Sequence, residues 1–430
     1  MSTARRYRLV PTRPNAPQVS GSHSHPPVVA SVETRRHLLY AVAPFAVGTV
    51  IGLIVLWPSG ESPDVGAGPV VQYDGTVREV EPQECAGGLP GGENFECARV
   101  TALVEQGPDA GEEVTFETAE APGVRKLRVG DGIRLGESPD APPELRYYFA
   151  DYQRSAPLLW LGVIFGIVVV ALSRWRGLAA LVGLGISLLV LLQFVIPAIL
   201  QGSNPLAVAI VGSAAIMFVT LYLAHGFTAR TSTAVLGTLI SLALTGTLAV
   251  LFVAATKFTG LASEEATFLQ VSADQVNLEG LILGGIIIGT LGVLDDVTIT
   301  QASAVWELHI ANPAYTVREL YGSAVRIGRD HIASTVNTLV LAYAGASLPL
   351  LIVFSLSARP LGDLLTAEVI AEEVVRTLVG SIGLVASVPI TTLLTAVVVS
   401  RDAPRRAESP RPPDPDGEFR RPKAEEEWRA

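Results

Sequence analysis

Charge is scarce in this chain of 430 residues. Asp, Glu, Lys and Arg make up 17 % of it, where a soluble globular protein carries about a quarter. The shortage is local: long stretches hold no ionisable residue at all. That excludes a large soluble enzyme and leaves a multi-span helical membrane protein. Lysine is scarcer still, at positions 126, 257 and 423, so the basic charge is nearly all arginine. The net charge of -10 sits mostly between Glu61 and Asp151, and an acidic excess confined to one segment gives no footing for nucleic acid. Cysteine occurs twice, as Cys85 and Cys97. Two cysteines make no zinc site. They are candidates for a disulfide in an oxidising compartment, or else two free thiols in a loop. Also absent are G-x-S-x-G, H-E-x-x-H and the phosphate-binding G-x-x-x-x-G-K-[ST], so no enzyme activity, cofactor or metal is expected.

What the chain has is apolar runs, at 38–57, 157–173, 177–200, 205–224, 231–255, 278–295, 337–357 and 377–400. The first, of about 20 residues, is long enough to cross about 30 Å of hydrocarbon as a helix, and the others are read as spans with it. Eight crossings with the N-terminus inside put Arg174, Arg176, Arg230, Arg318, Arg326, Arg329, Arg401, Arg405 and Arg406 on the inner side and Glu264, Glu265 and Asp274 outside. This is the positive-inside pattern, with Arg359 the one clear offender. The first run is longer than a signal-peptide core and is read as an uncleaved anchor. Residues 58–156 are different material. PVVQYDGTVREV, CARVTALVE, EEVTFETAE and KLRVGDGIRL alternate or carry β-branched residues between Gly, Pro and Asp turns, which predicts a small β domain outside the cytoplasm. Residues 1–37 and 401–430 are polar and Pro-containing, and are expected to be disordered cytoplasmic tails.

The chemistry concentrates between Asn277 and Pro349. The run NLEGLILGGIIIGTLGVLDD carries Gly280, Gly284, Gly285, Gly289 and Gly292 and ends on Asp295 and Asp296. Small residues four apart let membrane helices approach closely. From Leu278 to Asp295 a helix rises about 27 Å, so the two acids fall at the inner edge of the hydrocarbon and point about 100° apart. Asn312-Pro313 reads as the start of a new helix. Its apolar stripe (Val317, Leu320, Tyr321, Ala324, Val325) and its arginines suit a helix lying in the inner interface. That helix would deliver Arg326, Arg329, Asp330 and His331 to a last-but-one span beginning at Asn337. Ionisable groups at that depth are costly and carry function by default. The expected arrangement is a polar cluster of Asp295, Asp296, Arg326, Arg329, Asp330, His331 and Asn337, serving either as an ion- or proton-coupling site or as a structural anchor for the loop.

The stretches GGIIIGTLGVLDDVTITQASAVWEL and ELYGSAVRIGRDHIASTVNTLVLAYAGASLPLL resemble the YibE/F family of bacterial membrane proteins. The resemblance runs from about Tyr152 to Val399 and is expected to take in the β segment. It implies a multi-pass inner-membrane protein with a small external domain after the first helix, and permease-like roles. It implies no assigned site residues.

The expectation is therefore an α-helical membrane protein of about eight spans, with helix 38–57, an external β domain at 58–156 and a seven-helix domain at 157–400. The leading function is permeation of a small solute or ion, coupled to protons through Asp295 and Asp296. The alternative is a non-transporting assembly or sensory protein whose β domain binds a partner.

Overall fold

The computed structural model describes residues 30–60, 71–84, 96–120, 123, 125–139, 141–142, 145–273, 275–356 and 360–402. Cys85 and most of the two tails (1–29 and 403–430) lie outside the described residues. Helix α1 (Val32–Val55) starts before the apolar run does, because Ser31 caps it: its side chain accepts from the Thr34 backbone N–H at 3.2 Å. Capping satisfies a backbone donor that the first helical turn leaves open.

Five antiparallel strands follow: β1 (Gln72–Glu84), β2 (Glu96–Val104), β3 (Glu113–Glu120), β4 (Gly132–Glu137) and β5 (Tyr147–Tyr152). Their order across the sheet is β3-β2-β1-β4-β5. Alternation in the sequence marks the first four. The fifth, YYFADY, carries its signal in its aromatics. A bulge between Val77 and Glu79 bends the long β1, which pairs with β2 over most of its length and with β4 near its start. Bulges add twist and curl. The sheet rolls until β3 and β5 draw together, and this half-barrel closes on Val77, Val100, Phe116, Ile133 and Leu135. Cys97 in β2 is disulfide-bonded.

The rest is helical. The helices are α2 (Ser155–Val190), running through a π-turn into α3 (Ile196–Leu200), α4 (Pro205–His225), α5 (Ala229–Thr256), α6 (Glu264–Ser272), α7 (Leu278–Ala311), α8 (Val317–Ala346), α9 (Leu348–Leu356), α10 (Leu361–Leu365) and α11 (Glu368–Asp402). Six helices among the described residues are long and apolar enough to cross a membrane, or seven if the bent pair α8 and α9 counts as one. The expectation of about eight spans differs from this in two places. Runs 157–173 and 177–200 form one helical stretch, Ser155–Leu200, broken at Arg174, whose φ of 53° and ψ of -130° are non-helical. A Cβ on Gly166 would lie 3.8 Å from Leu181 Cδ1, so the chain doubles back there. Run 337–357 is bent by 63° at its middle, at Ser347.

The region after Asp296 also differs from expectation. Asn312 ends α7 instead of starting the next helix. The next helix starts at Thr316, whose hydroxyl accepts from the Glu319 N–H while the Glu319 carboxylate accepts from the Thr316 N–H (3.3 and 2.8 Å). That reciprocal pair closes two open donors at once and outcompetes the Asn-Pro start. Helix α8 then does not lie flat. It runs unbroken to Ala346, antiparallel along α7 and α11: Leu320 meets Val305 and Ala396, Gly328 meets Gln301 and Val388, and Tyr343 meets Gly289.

The helical core is α5, α7 and α11 packed on one another, with α4 and α8 flanking α7. Glycine faces threonine across these seams: Gly237 on Thr391, Gly383 on Thr245, Gly380 on Thr290. Missing side chains let the backbones close. Thr245 and Thr290 donate to carbonyls four residues back (Ser241, 2.8 Å; Ile286, 2.6 Å), so two of these buried hydroxyls are satisfied within their own helices. Gln301 crosses the seams, donating from Nε2 to the Ala324 carbonyl (2.8 Å) and to Thr392 Oγ1 (2.7 Å).

Candidate functional site

One strip of α7 is left exposed between its neighbours. It contains Gly285, Gly289, Gly292, Asp296, Thr300 and Glu307, all exposed. At 100° per residue these lie within about 80° of one another around the helix. Outward faces of other helices look as lipid requires: Leu158, Trp160 and Ile164 on α2, Ile240 and Leu251 on α5. A strip of glycine, carboxylate and hydroxyl is the reverse, and is the composition of a groove floor.

The glycines divide the work. Gly280 and Gly284 are packing positions, where a Cβ would sit 3.0 Å from Pro205 Cδ and 3.3 Å from Ala209 Cβ of α4. Gly285 and Gly289 lie under side chains from α11 and α8, with Arg376 Nη2 3.9 Å and the Tyr343 hydroxyl 3.2 Å from where a Cβ would stand. Gly292 has nothing within 4 Å of that point. It opens onto a cavity of about 430 Å³ between α2, α4 and α7, lined among others by Gly183, Ser187, Thr220, His225, Asp295 and Asp296.

The two aspartates occupy different surroundings, as neighbours 100° apart must. Asp296 is exposed. It borders the cavity with His225, which also feels the charges of Arg176 and Arg230. Asp295 turns inward between α4 and α5. Thr220 Oγ1 lies 3.3 Å from its Oδ2, but closer, at 2.9 Å, to the Ile216 carbonyl. Its Oδ1 is buried without a hydrogen-bond partner. The Thr238 hydroxyl faces the same carboxyl, yet is engaged at 2.7 Å with Thr298 Oγ1 and at 3.1 Å with the Ala234 carbonyl. Thr298 in turn donates to the Asp295 backbone carbonyl at 3.2 Å.

The rest of the predicted cluster does not join these acids. Among the described residues no ion pair links Asp295 or Asp296 to Arg326, Arg329 or His331. Arg326, Arg329, Asp330 and Asn337 are exposed on α8. Arg326 donates to Ser323 Oγ at 3.1 Å, and His331 Nε2 is buried without a partner. Asp295 looks toward α4 and α5, Asp296 borders the cavity beside α2 and α4, and the arginines lie exposed on α8.

A sequence profile for YibE/F-like proteins matches residues 161–401, more than half of the chain. The chain belongs to the YibE/F family. No curated protein and no solved structure matches it. The YibE/F match covers the groove, the cavity and both aspartates, and it excludes α1 and the half-barrel, which the resemblance was expected to include.

Thr220 and Thr238 beside Asp295 were missed by sequence reading, because they lie on α4 and α5, far from Asp295 in the chain. A second polar group was missed as well. Glu373 and Arg376 pair in the first turns of α11, with Glu372 Oε1 and Arg376 Nε buried and unpartnered, beside the outer part of the groove. Its signal was present as Glu368, Glu372 and Arg376 spaced four apart.

Proposed function

We propose that this YibE/F protein is a permease for a small solute or ion, driven by protons, with its path along the open strip of α7. The observation that carries the reading is the composition of that strip: three glycines, a carboxylate, a hydroxyl and a second carboxylate, exposed along a helix of a membrane protein.

The aspartates have separate roles in this reading. Asp295 carries the proton. The Thr238 and Thr298 hydroxyls bond to each other and to backbone carbonyls, and Oδ1 has no partner. A protonated carboxyl supplies the missing hydrogen by donating to Thr238 Oγ1, which satisfies a buried oxygen that otherwise costs about 1–3 kcal/mol. Loss of that proton leaves a buried charge with the Thr220 hydroxyl, shared with the Ile216 carbonyl, beside one oxygen only, and this drives rearrangement of α4 and α5 about α7. Asp296, exposed beside the cavity with His225, meets the solute.

The membrane arrangement proposed with it has eight crossings: α1, the two legs of Ser155–Leu200, α4, α5, α7, α8 and α11. Ser31 and Asp402 share one end of the bundle. Arg174, Arg176, Arg230, Arg318 and Arg401 belong to that end, and this excess of arginine supports a reading with both termini in the cytoplasm of a bacterial cell and the half-barrel outside.

The test is proton movement into proteoliposomes holding the purified full-length protein and a trapped pH dye, with small ions and metabolites offered outside. Wild type is expected to acidify the lumen with one class of solute, Asp295→Asn to lose all proton movement, and Asp296→Asn to lose affinity for the solute. Solute flux that is equal in wild type and Asp295→Asn would overturn the assignment of Asp295.

A further inference from the structure

Helix α8 is built inside out for a helix at the edge of a membrane bundle. Its inward stripe is the buried Leu320, Ala324 and Gly328 and the half-buried Tyr343, against α7 and α11. Directly opposite, half a turn around, stand Arg326, Asp330, Ala333, Asn337, Val340 and Ala344, and every one of them is exposed. A lipid-facing stripe requires large apolar residues, since hydrocarbon satisfies no polar group. Here a guanidinium, a carboxylate and an amide occupy it. Arg326 and Asp330 form no ion pair with any described residue, and among the described residues no hydrogen bond engages the Asn337 side chain. Asn337 stands one residue beyond Val336, which packs on the same cluster as Val293 of α7.

The spacing of the stripe is regular. Asp330, Asn337 and Ala344 are seven apart, and so are Arg326, Ala333 and Val340. That is the alternation of three and four that a left-handed helix pair presents along its seam. The small Ala333 and Ala344 let two backbones approach.

We infer that this face is a homodimer interface, with α8 of one protomer pairing in parallel with α8 of a second copy across a two-fold axis. A second copy fits because the stripe complements itself. An amide is both donor and acceptor, so Asn337 pairs with the partner's Asn337 on the axis, the arrangement that selects two strands. Arg326 and Asp330, of opposite sign and one turn apart, reach the opposite charges of the second copy in a four-membered ring at the inner interface. A C2 interface asks for such self-complementarity. The inference rests on α8 crossing the membrane as proposed above, and is independent of whether anything is transported.

The experiment is cysteine cross-linking of the full-length protein in native membranes, followed by light scattering of the purified protein in detergent. Asn337→Cys and Ala344→Cys are expected to give a cross-linked dimer on mild oxidation, and Ile240→Cys, exposed on α5, to give none. Wild type is expected to scatter as a dimer, and Asn337→Leu, which suits lipid and spares the fold, to dissociate about tenfold more readily. A monomeric wild type, or cross-linking at Ile240→Cys and not at Asn337→Cys, would overturn the inference. So would a cross-link from Asn337→Cys to a different polypeptide.

Discussion

Asp402, in the last turn of α11, accepts from the Ser31 backbone N–H and from Thr34 Oγ1 through one carboxylate oxygen, each at 2.8 Å. A side chain at one end of the described chain thus completes the cap at the other, and ties α1 to the core. Replacing it with Ala removes both bonds and leaves an open donor at the start of α1. Asp402→Ala is expected to lower stability by about 1 kcal/mol, read as a lower melting temperature in detergent, with Asp402→Asn in between. A variant that melts like wild type would show that the tie is not held in solution.

Gly292 and Gly383 separate groove floor from packing seam. Gly292→Leu puts a side chain into open space and is expected to leave the melting temperature within a degree or two while abolishing flux. Gly383→Leu drives a side chain into Thr245. Overpacking of a closed seam costs about 1–3 kcal/mol or more, so this variant is expected to be recovered poorly from membranes. Paired size-exclusion and flux measurements distinguish the two.

Gln301 links α7 to both α8 and α11. Gln301→Ala leaves the Ala324 carbonyl and the Thr392 hydroxyl without that donor and is expected to cost about 1–3 kcal/mol. Hydrogen exchange of α8 amides is the sensitive readout: α8 is expected to exchange faster than α5.

Tyr147 reports on the half-barrel at high pH. Burial and its hydrogen bond to Asp109 push its hydroxyl above the ordinary tyrosine value of about 10. A raised native pKa means that the neutral form is favoured by folding. The contribution is complete below about pH 10 and is lost as pH rises from there toward the native value. The half-barrel is therefore expected to lose stability above about pH 10, and Tyr147→Phe to flatten that decline. Following the alkaline melt by tyrosinate absorbance checks it.

Much of this molecule is legible from local chemistry. Apolar runs, turn residues and strand alternation act over a few positions, so the helical segments, four of the five strands and the place of Asp295 and Asp296 at the end of a glycine run can be read directly from residue order. Helical geometry even requires the two acids to diverge. It does not say which way each faces. Thr220, Thr238 and Thr298 reach Asp295 from α4, α5 and α7, and no local rule brings those three hydroxyls together. The same holds for α8. Its arginines suit an interfacial helix when read alone, yet the match of Gly328 to Gln301 and Val388, and of Tyr343 to Gly289, sets it lengthwise on the core. Backbone preference decides that a segment is helical, whereas packing against distant glycines and threonines decides where it lies and which of its faces is left open.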